Sequence, residues 1–475
     1  MFSREVVIGN KMESLMNKMT FKSGISYLTN QFTTFVMMIS IVILVLNYNT
    51  LVMDGIWPYY RDYASILFSF DKAAIDAARA PTFPMWGYGW VFNITENKFF
   101  ITIFQMTMAN MALLYLVSIL CRFSLLAPFG SKIFKVLAIV AIPYFAINCA
   151  LSPYGIANSL FVLSVSFLLK GMHEDTLKDI LYSGIFYGLV LNFRSDLLYF
   201  CIPLFLVLAF HFRKAGAAKV LSLFAPWVFI VMLVMAPWVL YTKHVTGHYL
   251  LGSTNSGHVL FIGLGQLPFN TWGITPSDGD PVMGLEIESH FGEAKSSLLY
   301  ESDVYLKDSF LKKVKQDPIE YIKKSVYSMG KTMVDGSYSG DFYLFGTSGK
   351  LEDRRNAIKD FKIWRGKVLS DPFYIFKDMN IGGFVQASVE TFIVLMKLFS
   401  LILLPVTIWF GLKYKDTLAL LVSAILLYQT AILVFAYNMR LYNVNVYIFH
   451  MLNLAIALAY LLRKAIDNKK INLIL

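Results

Sequence analysis

Charge is scarce in this 475-residue chain: 15% of the residues are Asp, Glu, Lys or Arg, against 57% hydrophobic and 16% aromatic. A soluble domain carries roughly 25% charged residues, so a water-exposed fold of this length does not fit. Cysteine is nearly absent, and the three present, Cys121, Cys149 and Cys201, lie within or beside apolar runs. Their spacing gives no disulfide framework and no metal site, and they are expected to be buried as small hydrophobes. No internal repeat, low-complexity run, Walker loop, zinc motif or Ser-His-Asp elbow occurs. Gly263-Leu264-Gly265 lacks the rest of a dinucleotide fingerprint. Chemistry on soluble nucleotides is therefore unsupported. The formal charge of +11 does not imply a nucleic-acid partner, because the basic residues are scattered between apolar runs rather than gathered in one stretch. The first 30 residues hold Arg4, Lys11, Lys18 and Lys22 without an apolar core, so no cleaved signal peptide is expected.

What the chain has in quantity is long apolar runs. About 20 apolar residues cross the hydrocarbon of a bilayer as a helix, because nothing else satisfies the backbone there. About ten stretches approach that length, at 32–53, 99–120, 134–151, 154–169, 180–193, 197–212, 220–241, 392–410, 418–436 and 444–462. The expected fold is an all-α polytopic membrane protein with two loop regions on one face. The larger loop is expected to be mixed helix and irregular. Its parts are an amino-terminal segment 1–31, spans one to seven over 32–242 with a loop at 54–98, a large loop 243–388, and the last three spans with a tail over 389–475.

Cationic residues near span ends stay cytoplasmic. With the amino terminus inside, the cytoplasmic turns hold Arg122, Lys132, Lys135, Lys170, Lys178, Arg213, Lys214, Lys219, Lys413, Lys415, Arg463 and Lys464, whereas the short turns opposite hold Arg194 and Arg440. Both termini are expected in the cytoplasm and both large loops outside a plasma or bacterial inner membrane. In the first loop, residues 60–79 alternate apolar and charged positions at helical spacing, the pattern of an interfacial helix. In the second, residues 249–264 read as extended, and helices are expected over 294–314 and 318–333.

Ionisable groups at a membrane edge are costly, and each is a functional candidate. Asp54 directly follows the first span and Asp62 lies in the amphipathic stretch after it; either carboxylate suits a general base for a hydroxyl, or merely caps a helix. Arg194, in Asn192-Phe193-Arg194-Ser195-Asp196, and Arg440, in Asn438-Met439-Arg440-Leu441-Tyr442, offer bidentate donors to a lipid phosphate. The plainer alternative is snorkelling, or pairing with a neighbour such as Asp196. Lys243 and His244 are candidates of the same kind. Asp278 and Asp280 straddle Gly279 and could ligate a divalent cation, although an Asx turn explains them more simply. No cofactor is otherwise expected. Glu390, Lys397 and His450 lie in or near spans, where interhelical contacts account for them.

Four passages resemble the C-type membrane glycosyltransferases that use polyprenyl-phosphate sugars, the group that includes the dolichyl-phosphate-mannose protein mannosyltransferases and the aminoarabinose transferases of lipid A. The first is Asp54 after span one, followed by an interfacial helix and the stretch Pro81-Thr82-Phe83-Pro84-Met85-Trp86-Gly87-Tyr88-Gly89-Trp90. The second is the Asn192–Asp196 turn, similar to an Arg-Pro-Glu turn, with Ser195 and Asp196 in place of proline and glutamate. The third is Ala236-Pro237-Trp238 leading to Ser253-Thr254-Asn255-Ser256-Gly257-His258, and the fourth is Arg440-Leu441-Tyr442 before the last span. The usual second acid beside the first is missing, since Gly55 follows Asp54. The resemblance implies a donor phosphate held by Arg194, Arg440 and Lys243, a base at Asp54 or Asp62, and a cavity lined by Asn255, His258, Tyr442 and His244. It further implies inverting transfer to a lipid, glycan or protein acceptor outside the membrane. A lipid-linked sugar transporter, or a ligase or polymerase using a pyrophosphate-linked donor, are the alternatives.

Overall fold

The computed structural model describes residues 31–47, 87, 91, 94–95, 97–123, 126, 128–140, 145, 153–334, 363–364, 366–367, 370–371, 381–438 and 446–467. Among them every regular element is helical. The helices are α1 (Phe32–Asn47), α2 (Lys98–Arg122), α3 (Pro128–Ile139), α4 (Pro153–Glu174) and α5 (Leu177–Leu191). A 3₁₀ stretch, Ser195–Phe200, runs into α6 (Cys201–His211), followed by α7 (Ala217–Thr246). The long segment holds α8 (Ser256–Leu264), α9 (Pro281–Phe291), α10 (Tyr300–Gln316) and α11 (Pro318–Val334), before α12 (Ile381–Tyr414), α13 (Thr417–Phe435) and α14 (Tyr447–Asp467).

Among the described residues five helices are long and apolar enough to cross a membrane: Phe99–Arg122, Tyr154–Glu174, Ala217–Thr246, Ala387–Tyr414 and Thr417–Phe435. Other stretches expected as spans are shorter or, like α14, less apolar. α5 has 15 residues and α3 ends at Ile139, well before the expected limit at 151. The 3₁₀ stretch eases the problem for α6, because its rise of about 2.0 Å per residue lengthens a short segment.

α4 is the central helix, buried over most of its length, and it packs against α5 and α2. α7 is peripheral and presents Leu221, Phe229, Leu233 and Leu240 outward. An apolar outer face is what lipid tolerates. α5 and α7 approach closely through Gly184 and Gly188, one turn apart: a Cβ at Gly184 would run into Ile230, and one at Gly188 would lie 2.7 Å from Val234 Cβ. This small-xxx-small spacing lets backbones meet and gain dispersion contact.

One end of the bundle collects the connections between α2, α4, α5 and α7. There Arg122 meets Glu174 at 2.7 Å, Lys170 meets Asp179 at 2.8 Å and Lys219 meets Asp175 at 2.5 Å. The other end carries the Asn192–Asp196 turn and the long segment. That segment has its own small core, in which Phe261, Ile262 and Leu264 of α8 pack with Met283 and Ile287 of α9 and Leu306 and Phe310 of α10.

Two expectations for the long segment are corrected. Residues 249–264 are not extended: 256–264 form α8. The apolar run His258-Val259-Leu260-Phe261-Ile262 is too short for periodicity to distinguish strand from helix, and the deciding contact is tertiary. Asp303 Oδ1 of α10 accepts the Gly257 N–H at 2.5 Å and the Ser256 hydroxyl at 3.2 Å, so a residue distant in sequence caps this helix. The helix expected from 294 begins at Tyr300, because α9 closes on Gly292 at φ +71° and the chain turns before restarting. Cys121, expected to be buried, is exposed, with its sulfur 3.5 Å from Ser131 Oγ.

Candidate functional site

The second of the four passages forms a tight corner between α5 and α6. α5 ends at Leu191, Asn192 Nδ2 turns back to the Gly188 carbonyl at 2.9 Å, and Arg194 is extended before the 3₁₀ stretch begins. The Arg194 side chain is 2% exposed. Its Nε donates to Asp196 Oδ1 at 2.7 Å, its Nη2 to Oδ2 at 2.5 Å, and its plane lies 4.5 Å from the centre of the Tyr154 ring. The sequence alternative of pairing with Asp196 is thus realised, in the bidentate form that keeps a guanidinium charged and fixed at low dielectric. The Tyr428 hydroxyl of α13 donates to the Asp196 carbonyl at 2.7 Å. From the first passage, Gly87 N–H donates to the Asn192 carbonyl at 3.0 Å, and a Cβ there would lie 2.6 Å from the Phe193 ring.

The third passage reaches the same corner. Trp238 Nε1 donates to the Gly252 carbonyl at 3.3 Å, and Ser253 Oγ stands 3.4 Å from Ser195 Oγ. Ser253 also donates to Asn255 Oδ1, and Thr254 donates to the Leu298 carbonyl at 2.7 Å. The chain just ahead of the fourth passage is anchored on α8 and α11. Asn438 exchanges hydrogen bonds with Gln266 at 2.8 and 2.9 Å, and its Nδ2 donates to Thr332 Oγ1 at 2.8 Å. Gly263 admits the Ala436 carbonyl where any side chain would collide. Asp54, Asp62, Arg440 and Tyr442 lie outside the described residues.

Connected to the corner through Tyr428 is an apolar cleft of about 540 Å³. α6 contributes Pro203, Leu206, Val207 and Phe210, at the i, i+3, i+4, i+7 spacing of one helix face. α13 supplies the facing row that ends at Tyr428, and α12 closes the far end with Ile408 and Leu412. The cleft therefore has hydrocarbon walls and, at Tyr428, a hydrogen-bonded link to the Arg194–Asp196 pair.

No family model, curated protein or solved structure matches this chain. Function has to be read from the residues themselves.

The remaining candidates divide. Lys243 is exposed, donates to the Gly247 carbonyl at 2.6 Å at the end of its own helix, and lies 5.0 Å over Tyr249. His244 is exposed beside it. His258 is buried, with Nδ1 2.8 Å from Ser297 Oγ and Nε2 3.0 Å from Asp278 Oδ1. It braces two turns of the long segment against α8, and the contact with His258 holds the Asp278 carboxyl below its ordinary range against the opposing effect of burial. Asp280 is turned away from Asp278: it accepts from Thr275 N at 2.6 Å, Thr275 Oγ1 at 2.7 Å and Met283 N at 2.7 Å, as the N-cap of α9. Among the described residues no group of three His, Cys, Asp or Glu side chains is placed to hold a metal. His450 Nδ1 meets Ser400 Oγ at 2.9 Å, the interhelical contact expected of it.

Sequence reading missed Tyr428, which looks like one more aromatic in an apolar helix, and Tyr154, whose ring meets Arg194. It also missed Lys324, which is fully buried and whose Nζ donates to the carbonyls of Val434, Phe435 and Ala436 at 3.0, 3.2 and 2.8 Å. Burial pushes its ammonium group down to about 7, while the carbonyl end of α13 attracts the charge.

Proposed function

We propose that the chain is a membrane glycosyltransferase that moves a sugar from a polyprenyl-phosphate donor to an acceptor outside a plasma or bacterial inner membrane. The observation that carries this reading is the apolar cleft between α6, α12 and α13, linked through Tyr428 and Asp196 to the buried guanidinium of Arg194. An isoprenoid chain suits the largely apolar walls, and its phosphate suits the guanidinium to which the cleft is linked through Tyr428 and Asp196. Arg194, with Arg440 and Lys243, binds the phosphate and stabilises it as the leaving group, where negative charge develops during transfer. Asp54 or Asp62 removes the proton of the acceptor hydroxyl as that oxygen attacks the anomeric carbon, with inversion and release of polyprenyl phosphate. Asn255, His244 and Tyr442 are assigned to the sugar and acceptor, His258 braces the long segment through Ser297 and Asp278, and that segment selects the acceptor.

Purified protein in lipid vesicles, incubated with a panel of polyprenyl-phosphate sugars, is expected to release polyprenyl phosphate from at least one. Arg194→Lys is expected to slow release by about 100-fold, because a point ammonium cannot replace a bidentate fork. Absence of release from the entire panel, with folded protein, rejects the reading. Asp54→Asn and Asp62→Asn then separate the two candidate bases.

A further inference from the structure

α11 is built inside out. It buries polar side chains against the protein at Glu320, Lys324, Ser325, Ser328 and Thr332. Ile319, Ile322 and Val326, at 66%, 61% and 67% exposed, stand on the opposite side together with Tyr327. Their i, i+3, i+7, i+8 spacing puts these four on one helix face. A helix on the surface of a water-soluble lobe shows the reverse order, apolar inward and polar outward, so water is the wrong neighbour for this face. The buried polar groups are used: Glu320 accepts from Thr271 N at 3.1 Å, Lys324 holds the carbonyls at the end of α13, and Thr332 Oγ1 accepts from Asn438 Nδ2 at 2.8 Å. Lys323, the charged residue on the outward face, reaches back to Glu320 Oε2 at 3.1 Å, so its stem covers apolar surface while its ammonium stays at the polar flank.

Two further observations identify what the face meets. α11 packs against α12 and α13, both long and apolar enough to cross a membrane, and the Tyr321 hydroxyl and Lys324 ammonium bond the last carbonyls of α13. The end of an apolar span marks the border of the hydrocarbon, so α11 is held at that depth. Phe435, in the last turn of α13, is itself exposed, and the apolar surface of the span reaches this joint. The second observation is Phe269, fully exposed at φ +59°. Asn270 locks its turn through Leu267 and Ile274, and Thr271 ties the turn to Asp317 and Glu320 at the start of α11. A bulky side chain at positive φ is strained, and a bare phenyl ring in water adds the cost of its hydration.

We propose that the outward face of α11 and the Phe269 turn form a lipid-docking surface that seats the long segment on the leaflet at its end of the bundle. The apolar side chains enter the boundary between acyl chains and headgroups, as those of an interfacial helix do, and Lys323 remains at headgroup level. The occupant is the bilayer, because the face is fastened to the ends of apolar spans. The inference stands without the transfer reaction proposed above.

The test uses the full chain in phospholipid vesicles, with the native cysteines replaced by serine. A nitroxide is attached to a single cysteine at Phe269, Ile322 or Val326, or at Lys312, an exposed position of α10, as the reference. Power saturation compares collisions with oxygen, which concentrates in hydrocarbon, and with a neutral nickel chelate, which stays in water. The oxygen-to-chelate ratio is expected to be about 10-fold higher at the three docking positions than at Lys312, because hydrocarbon excludes the polar chelate. A ratio at Ile322 and Val326 equal to that at Lys312 places the face in water and overturns the inference. Exclusion of both reagents there overturns it as well: mutual broadening of the labels then assigns the face to a second copy, and its absence to another segment of this chain. Loss of fold in one labelled variant leaves two positions to decide the question.

Discussion

Asp303 caps a helix 46 residues away in the chain, and this one carboxylate explains why α8 was invisible in the sequence. Its other oxygen holds Lys307 at 2.5 Å, and the side chain is 3% exposed. Asp303→Ala leaves the Gly257 N–H and the Lys307 ammonium without this acceptor, and is expected to destabilise the long segment by about 1–3 kcal/mol, measured as earlier proteolysis between α8 and α10. Arg194 shows the opposite case. Its position in a short turn, against the charge pattern of the other turns, marked it as exceptional from sequence alone. Its two partners were not equally legible: Asp196 is two residues on, but Tyr154 reaches the corner only through the fold.

At the scale of elements, long apolar helices were read well. α2, α4 and α7 extend the expected spans by a few residues at their ends, because polar residues continue the helix beyond the apolar stretch; α12 begins well before its expected start at 392, and α13 is shifted by one residue. α11 was expected at 318–333 and is found at Pro318–Val334, with proline opening it, where its missing N–H costs nothing. The contact of α5 with α7 had a sequence signal, the Gly184–Gly188 spacing. Gly188→Leu is expected to separate these helices and lower the melting temperature, with a loss of about 1–3 kcal/mol from overpacking; melting no lower than the wild type would mean that the close approach is dispensable. Lys324 supplies a pH test of the attachment of α11 to α13. Its folded value of about 7 lies below its ordinary value of 10.5, so between these limits the unfolded chain binds the extra proton and stability rises with pH. The wild type is expected to gain stability from pH 7 towards pH 10, and Lys324→Met to lack that component.

For the whole molecule, the two ends of the bundle differ in chemistry. Ion pairs join the connections at one end, and the long segment with its own core covers the other. If the first is cytoplasmic, a membrane-impermeant maleimide added to intact cells labels a cysteine at Glu293 and not one at Lys214, in a background where the native cysteines are serine. The reverse pattern would invert the molecule and place the Arg194 corner inside. The arrangement of the basic turns predicts this orientation; the relation of the long segment to the bundle was not legible in the sequence, because it depends on pairs such as Gln266 with Asn438 and Lys324 with the end of α13.

The three carbonyls that Lys324 occupies belong to the last turn of α13 and the residue after it, and Tyr428 lies about two turns earlier on the same rod. A helix terminus stapled in this way has little freedom to fray. The vertical distance between the phenol of Tyr428 and the solvent-side lobe is thereby set by protein alone, like a gauge of fixed length. Thickening or thinning the surrounding bilayer would tilt the bundle as a body, but would leave that gauge unchanged.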